Sequence, residues 1–157
     1  MSKYAASTDV PVGRSQAEIE RTLRKYGADD IITGSSQRKR EALVQFSYRN
    51  LPLALRIPLP DPDDPEFTKT PTGLDRSPTA VQQSWEAACR QQWRVLLLIL
   101  KAALEAVENG VLPPEKAFLP WIMLPTGQTV GEAALPHIER MLTSGEVPLL
   151  PFGGKES

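Results

Sequence analysis

Residues 77–110 read SPTAVQQSWEAACRQQWRVLLLILKAALEAVENG, and this stretch restricts the fold more than any other. Ser77 suits an N-cap, and Pro78 suits the first helical position, where its missing N–H has no partner to lose. Asn109-Gly110 supplies a left-handed exit. Between these signposts Trp85, Cys89, Trp93, Leu96, Leu100, Ala103 and Val107 recur every three or four residues, the period of one helical face. Glu86, Arg90, Arg94, Lys101 and Glu105 form a charged stripe opposite, with Glu86 and Arg90 in the favourable i,i+4 order. Leu96 to Leu100 is LLLIL, so this part of the helix is expected to be covered on more than one side. Each fully buried aliphatic side chain there contributes roughly 1.5–3 kcal/mol. A helix over 78–109 is roughly 48 Å long, longer than a small domain is wide. One end is therefore expected to project, or to pair with a second copy of the chain as a homo-oligomer.

A sheet is expected to lie against this helix. Residues 1–7 are small and polar and read as a loose terminus, and Thr8 to Val12 as a short edge strand. Ser15-Gln16-Ala17-Glu18 has the form of a capping box and opens a helix ending at Tyr26-Gly27, with Ile19, Leu23 and Tyr26 inward. Three strands follow, at Asp30–Gly34, Arg40–Arg49 and Leu51–Leu59, with a polar turn at Ser35–Lys39. Pro52 and Pro58 cannot donate to a ladder and put the third strand at an edge. Pro60 to Arg76 reads as an acidic, proline-rich loop without compact structure. Beyond the long helix come one helical turn at Glu115–Leu119 and a short strand at Trp121–Leu124. A second capping box, Thr129-Val130-Gly131-Glu132, then opens a helix that continues to about Thr143 through Pro136. The expectation is one α+β domain over residues 1–150. Its three- or four-stranded, mainly antiparallel sheet is packed by the long central helix and the N-terminal helix. Helix and strands occupy 8–59, the loop 60–77, the central helix 78–109, a strand–helix appendage 111–145, and a Pro/Gly-rich tail 146–157.

Composition removes several function classes. A chain of 157 residues can bury a real core. A single cysteine, Cys89, excludes a disulfide framework and a thiolate metal cluster. The longest strictly apolar run, Val95–Leu100, is far too short to span a bilayer, and no signal-peptide core is evident. A cytoplasmic protein without membrane contact is expected. His137 is the only histidine, so any Ser-His-Asp or Cys-His device depends on it, and Cys89 lies on the core stripe, where thiols are inert. Asp61, Asp63, Asp64 and Glu66 lack the glycine and terminal Glu of an EF-hand loop. Glu66 and Lys69 lack the spacing of a PD…ExK nuclease site. No Gly-rich phosphate cradle is present. The expectation is no enzyme activity, no cofactor and no metal.

The segments VPVGRSQAEIERTLRKYGA, PLPDPDDPEFTKTPTG, RQQWRVLLLILKAALEAVENG and LPTGQTVGEAALPHIERM together resemble a set of small proteins encoded by phages and other mobile elements, a family with no assigned activity. The resemblance covers nearly the whole chain and implies a mobile-element origin. The order helix, three strands, helix is also similar to a double-stranded-RNA-binding domain. In that family the second helix opens on a basic cluster, whereas Ser77–Gln83 holds no Lys or Arg.

Charge points to a partner. The net charge of −1 conceals an asymmetry: residues 14–56 carry nine Lys/Arg against five Asp/Glu, and residues 60–76 carry two against five. Arg14, Arg21, Arg24, Lys25, Arg38, Lys39, Arg40, Arg49 and Arg56 are expected to form a continuous patch for single-stranded nucleic acid, with Tyr26 or Tyr48 stacking on a base. The competing reading is a protein-binding module, a modulator or inhibitor of a host or phage enzyme or an assembly component. It would dock through the long helix and Trp121, at Arg90, Arg94, Leu97 and Trp121.

Overall fold

A computed structural model of the chain describes residues 2–145, with side chains from residue 13 onward. The elements are α1 (Ser2–Lys25), β1 (Asp29–Ser36), β2 (Glu41–Tyr48), β3 (Leu51–Pro58), α2 (Pro65–Thr68), α3 (Pro78–Glu108), α4 (Pro114–Ala117), a 3-10 turn (Leu119–Trp121) and α5 (Val130–Ser144). The three strands form one antiparallel sheet in the order β1-β2-β3. Alternation in β2 decides its faces: Ala42, Val44, Phe46 and Tyr48 are buried, and their partners Ile57, Leu55, Leu53 and Leu51 share that side. Ile19 and Leu23 of α1 and Trp93, Leu96, Leu100 and Leu104 of α3 close over them. The fold is therefore α+β, with both long helices on one face of the sheet.

Local chemistry fixes the ends of α3. Ser77 accepts a hydrogen bond from the Ala80 N–H at 3.2 Å, Pro78 occupies the first turn, and Gly110 takes a φ of 68° past the C-terminus. At 31 residues the helix is about 46 Å long, against about 27 Å for an eight-residue strand. It overhangs the sheet, and the segment 60–76 covers the overhang. This overturns the expectation of a structureless loop. Phe67 is buried, Asp64 caps α2, and Lys69 and Asp75 pair across a turn at Gly73. Trp85 Nε1 donates to the Pro60 carbonyl at 2.8 Å, and Arg76 donates to the Phe67 carbonyl and to Ser84 Oγ. One aromatic anchor and three polar ties outweigh the prolines.

After α3 the chain wraps the free edge of β3. Phe118 enters the core face edge-on to Phe46 and Tyr48, with centroids 6.1 and 5.6 Å away. Ile122 then bridges Leu53, and the Met123 N–H donates to the Pro52 carbonyl at 2.8 Å. Finally Glu132 of α5 pairs with Arg56 on the opposite face of the sheet. The Thr129–Glu132 capping box is present in both directions, at 3.2 and 3.0 Å.

Four further expectations are corrected. Thr8–Val12 is no strand, and residues from Ser2 are not loose: both belong to α1, where Ala5 and Ala6 favour helix and the Ser15–Glu18 box is interior. The sheet therefore has three strands among the described residues. Trp121–Leu124 forms a 3-10 turn and isolated bridges instead of a strand, because its neighbour on β3 is reached at one residue only. The LLLIL run is not covered all round. Leu97 is 7% exposed but Leu98 is 60% exposed, since steps of about 100° carry Leu98 to the side away from Leu96. The tail at 146–157 lies outside the described residues.

Candidate nucleic-acid interface

The basic residues fall at two ends of the molecule and along one helix. Glu20 of α1 accepts from Thr33 Oγ1 at 3.0 Å, and Glu18 pairs with Lys101 of α3 at 3.7 Å. These two contacts fix the rotation of α1. At about 100° per residue, Arg14, Arg21, Arg24 and Lys25 then share one outward arc of about 100°, and all four are exposed. They run along about 16 Å of helix. Because β1 returns antiparallel to α1 from its C-terminus, the Thr33–Glu20 contact sets Arg14 toward the β1–β2 turn. That turn, Gln37–Arg40, carries Arg38 and Lys39, both exposed. Among the described residues none of these six cations makes an ion pair.

The other three are already engaged, so the patch is not continuous. Arg40 pairs with Asp61 and Arg56 with Glu132. Arg49 lies at the opposite end of β2, where it donates to Glu108 at 3.1 Å and packs over the Tyr48 ring at 5.6 Å. Its guanidinium is held further in the charged form by the Glu108 hydrogen bond. Tyr48 Oη also donates to Glu108, at 2.9 Å. This bond, with the Arg49 contact second, lowers the Glu108 carboxyl from its ordinary range, while burial and the same bond raise the Tyr48 hydroxyl. Tyr26 Oη donates to Glu105, whose carboxyl is lowered by that bond and by Asn109. Both hydroxyls are thus committed to α3; the Tyr48 ring is buried in the core and the Tyr26 ring is half-buried against it.

The expected docking residues are also redistributed. Leu97 is a core residue, Arg90 and Trp121 are half-buried, and Trp121 packs on Phe118 with centroids 6.4 Å apart; Arg94 alone of the four is exposed. Ten large apolar side chains are exposed among the described residues; they include Val95 and Leu98 of α3 and, in one helical stripe, Leu135, Ile138 and Leu142 of α5. The α5 stripe was legible in its spacing of three and four residues. Its exposure was not, because it depends on the helix touching the body only near its start. There Gly131 lets the backbone of α5 close on Pro120, whose carbonyl oxygen is 2.9 Å from where a Cβ would stand.

The nucleophile candidates have local explanations. Cys89 is buried in α3, and desolvation pushes its thiol up to about 11. His137 is exposed on α5, with Nδ1 2.7 Å from an Arg140 guanidinium nitrogen. Among the described residues no group of three or more His, Cys, Asp or Glu side chains is placed to hold a metal ion. No helix among them is long and apolar enough to cross a membrane. The likeness to a double-stranded-RNA-binding domain rests on element order alone, and no family model, curated protein or solved structure matches the chain.

Proposed function

We propose that the chain is a non-enzymatic, nucleic-acid-associated accessory protein of a phage or mobile element. It would hold single-stranded nucleic acid along the outward face of α1 and the β1–β2 turn. One observation supports this above the rest: Arg14, Arg21, Arg24, Lys25, Arg38 and Lys39 are exposed on one edge and make no ion pair among the described residues. Phosphate contacts need only such placed cations, and each releases counterions on binding. With contacts to phosphates through lysine and arginine side chains, binding would be sequence-tolerant. Four to six phosphate contacts to a single strand correspond to a slope of log affinity on log salt of about −3 to −4.

Fluorescence anisotropy with labelled single- and double-stranded DNA and RNA tests the reading. Arg21→Glu with Lys25→Glu, and separately Arg38→Glu with Lys39→Glu, are expected to weaken single-strand binding at least about tenfold at low salt. Arg49→Gln, which lies in the Glu108 clamp, is expected to change it little. Equal binding by all variants, or none by the native chain at low salt, would sink the proposal. A second reading, docking of an amphipathic helix from a protein partner, takes support from the unpartnered Leu135, Ile138 and Leu142. Leu135→Glu with Ile138→Glu separates the two, since it leaves the basic edge intact.

A further inference from the structure

The acidic segment 60–76 reaches the same basic turn, and its placement there is built. Arg40 ends the turn in the left-handed region, with a φ of 50°, and its carbonyl accepts the Leu59 N–H at 2.6 Å. Its guanidinium pairs with Asp61. The second oxygen of Asp61 accepts the Asp63 N–H at 2.9 Å, so the carboxylate is aimed by its own backbone. On one side of it Trp85 holds the Pro60 carbonyl; on the other, Asp64 caps α2 and Phe67 is buried. Asp61 is thus presented to the turn from a frame anchored at both ends.

We propose that Asp61 stands where a phosphate would, and that this segment is an intramolecular competitor for the nucleic-acid edge. The inference rests on the nucleic-acid reading above. Arg38 and Lys39 precede Arg40 directly, so a strand held by them meets Arg40 already engaged. The pair lies at the surface: the Arg40 and Asp61 side chains are 49% and 37% exposed. Exposed pairs are weak and salt-screened, so the restraint is modest: the strand binds the edge with Arg40 still held by Asp61, one contact short. Two Lys/Arg against five Asp/Glu in residues 60–76 oppose a longer approach of the strand along this side. The segment would then restrain affinity and confine the strand to the α1 edge.

Asp61→Asn removes the competitor and keeps the side chain's shape, and Asp61→Ser repeats the test with the turn-forming chemistry retained. In anisotropy titrations with a labelled single-stranded oligonucleotide, both are expected to bind about 3–10-fold tighter than the native chain at low salt, with a salt slope steeper by about 0.7, one added phosphate contact. Arg40→Gln is expected to leave native binding within about twofold and to abolish the gain when combined with Asp61→Asn. Native binding with no gain in either Asp61 variant would overturn the competitor and leave the interface standing. A gain that survives Arg40→Gln would also overturn it, as a general charge effect. Absence of binding by every form at low salt would overturn both.

Discussion

At the scale of single residues, the carboxylates of α3 join the helix to the sheet. Glu108 receives both Tyr48 and Arg49, and Glu105 receives Tyr26 and Asn109. Arg49 and Asn50 both have positive φ, the pattern of a tight hairpin turn, and Arg is an unusual occupant of such a position. The Glu108 contact explains why it is tolerated. Glu105, Glu108 and Glu132 all have carboxyls lowered from the ordinary value of 4.5, by the Tyr26, Tyr48 and Thr129 hydrogen bonds first. A lowered folded-state value means that the unfolded chain binds more protons in that window. Their contribution is therefore complete above the ordinary carboxylate range and is lost as pH falls through the lowered values. Thermal melts taken from neutral pH into acid should show a falling Tm, with a shallower fall for Glu105→Gln with Glu108→Gln. An unchanged acid profile would contradict the assignment. The Tyr26–Glu105 and Tyr48–Glu108 pairings were not legible beforehand, because their members lie far apart in sequence and meet only once α1, β2 and α3 pack.

At the scale of elements, α3 carries the core through one arc only. Leu100→Ala or Leu104→Ala is expected to cost about 2–5 kcal/mol, the range for emptied core leucines. Leu98→Ala, on the exposed side, is expected to stay within about 0.5 kcal/mol. Chemical denaturation of the three variants checks the contrast. Gly131→Ala tests how α5 is seated. Alanine favours a helix interior by roughly 0.5–1 kcal/mol over glycine, yet its Cβ would stand 2.9 Å from the Pro120 carbonyl oxygen. The expected outcome is faster amide exchange across 130–144 with little change in exchange of the β2 core; slower exchange in α5 would contradict it. Elements signalled by local chemistry were readable: both ends of α3, the three strands, the second and third by their alternation, and the Thr129–Glu132 box. The ordering of 60–76 and the wrap through Phe118, Ile122 and Glu132 were not, because each depends on a distant surface. Two cues misled in opposite ways. The Ser15–Glu18 box marked a start where the helix was already running, and LLLIL promised cover that Leu98 lacks.

At the scale of the whole molecule, charge is sorted by the fold more finely than by the sequence. Nine basic residues in 14–56 suggested one patch. The structure divides them into six exposed cations on α1 and the β1–β2 turn, and three held by Asp61, Glu108 and Glu132. Sequence counting could not make that division, since every one of those acidic partners follows the sheet in the chain. A nearly neutral protein can thus present a basic edge while the acidic segment borders one end of it. The same sorting leaves α5 with an apolar stripe facing outward, a separate surface from that edge. The measurement that tests the central claim most directly is an NMR titration of the labelled native chain with a single-stranded oligonucleotide at low salt. The account predicts amide shifts concentrated in residues 14–25 and 37–40, reversed by added salt, with residues 135–142 unmoved. Shifts centred on 135–142, or none anywhere, would contradict it.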